Sequence, residues 1–309
     1  MCMGSVCEQC LDSTLNTQSI YVTCFRAVRD GHLECLKAAY HRGFPWNESI
    51  CAAAASYGHV HCLRYAHENG CPWDHFTLIN AAQCDIGCLR YALAKGCPQP
   101  LESLCAHAAA AGKIECLKHL HECGFVWDIY TCMSASAYGN MECLKYAHEN
   151  GCPWNYKTLL YASKNGHIDI LKYAHEHGCP WHEDVCEVAA QYGRLKCLKY
   201  AHENGCPWDT KTCEIAAQNY NIDCLLYAYT NGCPWNFINS PYTTHRKLLN
   251  IWRLDYVCKT LGRKWKEKRL TKQRDAVRKI EEAVIHFLYK PYGPGYKRVQ
   301  RDFNARYEV

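Results

Sequence analysis

Three chemically capable side chains recur together along this chain. "CLKYAHENGCPW" spans Cys143 to Trp154 and returns unchanged at Cys197 to Trp208, and "CLRYAHENGCPW" spans Cys62 to Trp73. His67, His148, His175 and His202 each stand four residues before a cysteine: Cys71, Cys152, Cys179 and Cys206. On an unbroken helix that spacing would turn an imidazole and a thiolate toward one metal ion, or give a thiol nucleophile its base. A glycine intervenes in each copy, and the helix stops there. The same position holds Tyr40, Leu93 and Tyr229 in other copies. The expected role of these histidines is therefore packing, or capping of the carbonyls in a last helical turn.

The cysteines form three ladders. One is Cys35, Cys62, Cys88, Cys116, Cys143, Cys197 and Cys224, broken by Ile170; a second is Cys24, Cys51, Cys105, Cys132, Cys186 and Cys213, broken by Leu78 and Leu159. The third is Cys71, Cys97, Cys152, Cys179, Cys206 and Cys233, broken by Phe44 and Phe125. Leucine and phenylalanine cannot replace a metal ligand, but they can replace a packing residue. Neighbouring rungs on packed helices about 8–10 Å apart are too distant for disulfides. Cys7 and Cys10 form a single CxxC with Cys2 nearby, and no second pair completes a four-ligand zinc site. Trp46, Trp73, Trp127, Trp154, Trp181, Trp208 and Trp235 form a further ladder, broken by Gln99. Such a ladder could stack bases. Each tryptophan precedes a capping position, however, where an apolar side chain is expected to staple onto the following helix. No phosphate loop, HExxH, nucleophile elbow or carboxylate pair is present. The expectation is a chain with no catalytic residue, no metal site and no cofactor.

What positions these residues is a repeat. Gly43, Gly70, Gly96, Gly124, Gly151, Gly178, Gly205 and Gly232 are separated by 27, 26, 28, 27, 27, 27 and 27 residues. Asn47, Asp74, Asp128, Asn155, Asp209 and Asn236 follow the tryptophans as helix N-caps. A first helix of about ten residues, a glycine turn and a second helix are then expected. Leu36, Leu63, Leu89, Leu117, Leu144, Leu171, Leu198 and Leu225 occupy one position of every second helix. The spacing glycine stops that helix in left-handed conformation, and proline two residues on cannot continue it. A 27-residue helix pair cannot bury its own faces, so it must lean on its like. The motif "CPQP" at 97–100, beside the one short and one long spacing, marks an irregular third-to-fourth junction.

The chain has 309 residues and 25 cysteines. Its first residues, "MCMGSVCEQC", lack the basic start and apolar core of a signal peptide. No run of about 18 apolar residues suggests a membrane span. The expected setting is a reducing cytoplasm with free thiols that behave as small hydrophobes. Charge is divided unevenly. Residues 1–245 carry 17 Lys+Arg against 23 Asp+Glu, net −6, whereas residues 246–309 carry 18 against 7, net +11.

"AASYGHVHCLRYAHENG" (54–70) and "ASKNGHIDILKYAHEHG" (162–178) resemble the ankyrin pattern of paired small residues, Gly-His, Leu-Lys on a second helix, and a closing glycine. Ankyrin units are about 33 residues long, with a hairpin and a Thr-Pro-Leu-His start; this chain has neither feature. Its "GCPW" variant is similar to short ankyrin-like repeats of giant viruses and some protists. The resemblance implies an all-α, right-stacked helix-turn-helix solenoid without the β-hairpin, made of eight repeats over 20–236. A tail at 1–19 would precede it, and a basic helical cap at 237–309 would follow. It also implies a non-catalytic, monomeric scaffold that binds another protein, of viral adaptor type and placed in host cytoplasm.

Partner contacts are expected where copies differ: Tyr57, Phe76, Tyr130, Tyr138, Tyr156, Tyr161, Tyr192 and Tyr220, on first helices and the turns after them. In ankyrin-like stacks these helices line the concave face. A second reading rests on the basic run Arg263, Lys264, Lys266, Lys268, Arg269, Lys272 and Arg274, which could hold nucleic acid or an acidic partner.

Overall fold

The computed structural model describes residues 24–234. The terminal segments, including Cys7, Cys10, Trp235, Asn236 and the basic run at 263–274, lie outside the described residues. Among the described residues the fold is all-α, with no strand. Helical residues 24–29 pair with Leu33–His41, and Glu48–Ser56 with Val60–Glu68. His75–Cys84 then pairs with Ile86–Ala94, Leu104–Ala110 with Ile114–Glu122, and Ile129–Tyr138 with Met141–Glu149. Tyr156–Asn165 and Ile168–Glu176 follow, then Glu183–Gln191 with Leu195–Glu203, and Thr210–Gln218 with Ile222–Thr230.

The chain divides into two compact units. Among the described residues, one holds 24–162 and 169–179, and the other holds 163–168 and 180–234. Within each unit, first helices pack on first helices and second helices on second helices. Alanines such as Ala54, Ala81, Ala108, Ala189 and Ala216, all fully buried, let the first helices approach closely. The repeated leucines are buried to within 1 %. Each contributes roughly 1.5–3 kcal/mol in area removed from water.

Capping follows the chemistry expected of the termini. Asn47, Asp74, Asp128, Asn155 and Asp209 each accept a backbone N–H from the second residue onward. Two copies lack Asp or Asn after the ladder tryptophan position, and there Ser103 and His182 do the same work. At the other end, Cys71 N–H bonds the Ala66 carbonyl (2.9 Å) and Gly70 N–H bonds that of His67 (3.0 Å). This pair of bonds requires left-handed backbone at Gly70, whose φ is +82°.

The thiol after that glycine closes the helix pair. Cys71 donates to the Asn47 carbonyl (3.2 Å), Cys97 to Asp74 (3.3 Å), Cys152 to Asp128 (3.3 Å) and Cys179 to Asn155 (3.1 Å). Cys206 to His182 (3.3 Å) and Cys233 to Asp209 (3.0 Å) continue the series in the second unit. Each bond ties the end of a second helix to the start of its own first helix. Burial pushes the thiols of Cys97 and Cys179 up to about 12, so they remain protonated donors near neutral pH.

Separate contacts join one repeat to the next. The Asn140 amide donates to the carbonyls of Ala109 and Ala110, both at 2.8 Å, at the end of the preceding first helix. Asn221 reaches Ala190 (2.8 Å) and Gln191 (2.7 Å) in the same way, and Arg194 Nε reaches Lys164 (3.1 Å). The turn glycine makes room for this reach: a Cβ on Gly112 would stand 2.7 Å from Asn140 Oδ1.

Candidate functional site

The histidines and tryptophans act together, between successive second helices. Trp73 stacks on His67 of the helix before it, with ring centroids 3.7 Å apart and planes 16° from parallel. Its edge meets Tyr91 of the next second helix at 6.2 Å. His121–Trp127–Tyr146, His148–Trp154–Tyr173 and His202–Trp208–Tyr227 repeat the arrangement, with stacking distances of 3.9, 3.8 and 3.7 Å. In the first repeat Tyr40 replaces the histidine and stacks on Trp46 at 4.5 Å.

This corrects the role expected of the tryptophans and selects one of the two roles expected of the histidines. Trp46, Trp73, Trp127, Trp154 and Trp208 stack on the preceding second helix, because the loop folds the indole back over its last turn. His67, His148 and His202 take the first of the two roles expected of them, packing against an indole, while glycine and cysteine amides cap the carbonyls. The described tryptophans are half-buried.

Electrostatics fits a neutral imidazole. Burial, then the Lys95 charge, hold His67 below its ordinary pKa, while burial raises Tyr91. The Tyr91 hydroxyl therefore keeps its proton and donates to His67 Nδ1 at 2.9 Å. Tyr146 and His121 pair likewise at 3.0 Å. On the tyrosines' other faces lie cations: Arg64 over Tyr91 (5.5 Å), Lys145 over Tyr173 (5.5 Å) and Lys199 over Tyr227 (5.4 Å). These contacts pair the His67 and His121 imidazoles internally, whereas the buried Tyr173 hydroxyl has no hydrogen-bond partner.

Each ladder cysteine is likewise engaged. Cys62, Cys143 and Cys197 are buried, which pushes their thiols to about 11. Two ladders meet at positions that sequence spacing alone had kept apart. Cys51 is hydrogen-bonded to Cys71, Cys132 to Cys152, Cys186 to Cys206 and Cys213 to Cys233, and this together with burial drives the first-helix thiols far up. The signal was a constant separation of 20 residues between ladders. Such thiols are poor nucleophiles. His121 was also missed, because Phe125 takes the place of the cysteine four residues on; its five-residue offset from Cys116 would have revealed it.

The aromatic residues proposed as contacts divide into two groups. In the first unit Tyr57, Phe76, Tyr130 and Tyr138 are exposed, by 45, 55, 51 and 68 %, on first helices or the turns that follow. Tyr192 of the second unit is 43 % exposed and lies under Lys164 Nζ (5.2 Å). Tyr156, Tyr161 and Tyr220 are half-buried. Tyr220 is not the counterpart of Tyr57: it occupies the turn-glycine position and is the one non-glycine residue with positive φ (+59°) among those described. The basic residues from Arg263 to Arg274 lie outside the described residues. No helix among the described residues is long and apolar enough to cross a membrane.

Residues 132–175 match a family model described as "Ankyrin repeats (many copies)". The crystal structure of the human ASB11 ankyrin repeat domain is similar over 66 % of this chain and 96 % of that chain, with 17 % identity and a TM-score of 0.38. No curated protein matches.

Proposed function

We propose that the chain is a non-catalytic scaffold of ankyrin-like repeats that binds another protein through its first-helix face. The observation that carries this reading is the exposure of Tyr57, Phe76, Tyr130 and Tyr138 in one unit. The features common to nearly all copies hold repeats together; these large rings occur in only some copies, Tyr57 and Tyr138 before the turn glycine and Phe76 and Tyr130 two residues after the cap, and remain in water. Rigid aromatic side chains lose little entropy on binding and often dominate interfaces. Ankyrin repeats are in general protein-interaction scaffolds, which supports the same reading. The short "GCPW" repeats extend it to an adaptor of viral type that holds a host protein in a reducing cytoplasm.

The test is affinity capture from native cells, then titration of the captured partner against a variant with serine at positions 57, 76, 130 and 138. Surface changes of this kind leave stability within about 0.5 kcal/mol each. Loss of even one dominant contact, at about 2 kcal/mol or more, weakens binding roughly 30-fold. A folded variant with unchanged affinity would overturn the assignment of the face. A chain truncated after residue 262 should retain capture; if it does not, and nucleic acid binding by the full chain falls steeply with salt, the basic run carries the function instead.

A further inference from the structure

The irregular third-to-fourth junction lacks every part of the aromatic triad. Leu93 stands where other copies have histidine, Gln99 where they have tryptophan, and His119 where they have tyrosine. The first helix that follows, Leu104–Ala110, has 7 residues where its counterparts have 9 or 10. The loop before it carries Leu101, which is fully exposed, and the next loop carries Val126, 85 % exposed. They are the two most exposed large apolar side chains among the described residues. Both line one cavity of about 290 Å³, with Leu104 and Phe125 also in its wall. The charged residues of that wall are Glu102 and Asp128, and it includes no lysine or arginine. The site is thus an apolar lip with two carboxylates, placed where the packing device between repeats is missing.

The same chain contains a sequence of complementary chemistry. In "RKWKEKRLTKQR" (263–274), Trp265 lies between Lys264 and Lys266, and Leu270 follows Lys268 and Arg269 and precedes Lys272. Residues 246–309 carry +11 against −6 for residues 1–245. We infer that this cavity binds segment 263–274 of a second copy of the chain. An apolar side chain of the segment enters beside Leu101 and Val126, and its flanking cations meet Glu102 and Asp128. Two copies can exchange segments reciprocally, which closes the assembly as a dimer. This replaces the expected monomer and stands apart from the first-helix face, so either can fail without the other.

Sedimentation equilibrium of the full chain tests the inference. A concentration-dependent dimer is expected at low salt. It should weaken about tenfold or more toward 300 mM salt, because exposed charges are screened. Leu101→Asp should weaken it by a similar factor; this side chain is fully exposed, so the fold is unaffected. Glu102→Lys alone and Lys268→Glu with Arg269→Glu alone should each weaken the dimer, and all three together should restore it to within about threefold if the charges are in contact. A chain that stays monomeric at low salt, a dimer indifferent to Leu101→Asp, or charge reversals that merely add would each overturn the inference.

Discussion

The contact between Asn140 and the Gly112 turn offers a quantitative test of how one repeat holds the next. Asn140→Ala removes two amide bonds, to Ala109 and Ala110, each 2.8 Å long. Ala109 keeps a bond from Gly112 N–H, so Ala110 loses the partner it most needs. At about 1 kcal/mol per bond, the expected cost is about 2 kcal/mol. Gly112→Ala incurs two costs in the natural chain. Left-handed backbone at φ +69° costs an alanine about 1 kcal/mol. The new Cβ, 2.7 Å from Asn140 Oδ1, must also displace that side chain and forfeit its bonds, about 2 kcal/mol more. The total is about 3 kcal/mol. In an Asn140→Ala background only the backbone cost remains, about 1 kcal/mol.

The two substitutions should therefore be non-additive by about 2 kcal/mol, well above the roughly 0.3–0.5 kcal/mol scatter of independent sites. Urea unfolding of the four chains, followed by both tryptophan fluorescence and far-ultraviolet circular dichroism, measures this. Coincident transitions with equal slopes are required, since repeat arrays can lose two-state behaviour. Additive costs would refute the reasoning, because they would mean that glycine is present at 112 for its backbone alone. The same cycle at Gly193 and Asn221 provides a replicate, with an identical 2.7 Å approach.

Other consequences can be measured on the same material. Thr77 is fully buried with an unpaired hydroxyl, and Ile50 and Val185 fill the same place in other copies; Thr77→Val should stabilise by about 1 kcal/mol in urea unfolding. His67, His148 and His202 have lowered pKa values in the fold, chiefly from burial. Below the ordinary value near 6.5 the unfolded chain therefore binds more protons, so stability is full above that pH and falls as pH drops through it; thermal melts from pH 7.5 to 5 should show the loss, and His67→Phe should reduce it. Cys123 is the one exposed cysteine among those described, and its sulfur lies 3.7 Å from His119 Nε2. Brief alkylation read by peptide mass spectrometry should label it well ahead of Cys62, Cys71 or Cys197; equal labelling would show that the ladders open readily.

How much of this was legible beforehand depends on whether a contact is local or crosses repeats. N-caps such as Asp74 and Asp128 were legible because a cap involves residues two or three positions apart, and the glycine stops because φ > 0 strongly favours one residue type. The helix pair and its buried leucines followed from periodicity. The role of the tryptophans was not legible. A staple onto the next helix and a stack on the previous one predict the same residue at the same place, and only the path of the loop distinguishes them. The thiol clasp was hidden for a related reason. Each cysteine ladder has one spacing, near 27, and reading each ladder against itself considers only neighbouring rungs. The contact runs between ladders, from Cys71 to Asn47 and Cys51, at separations that no single ladder contains. Tyr220 makes the same point from the other side. It was grouped with Tyr57, Tyr138 and Tyr192 by residue type, but its register is that of Gly193, where other copies need space for the side chain of a following repeat. A tyrosine there holds a left-handed backbone, φ +59°, at the cost of local strain. In a repeat protein, then, position in the register decides what a residue does, and residue type decides only how well.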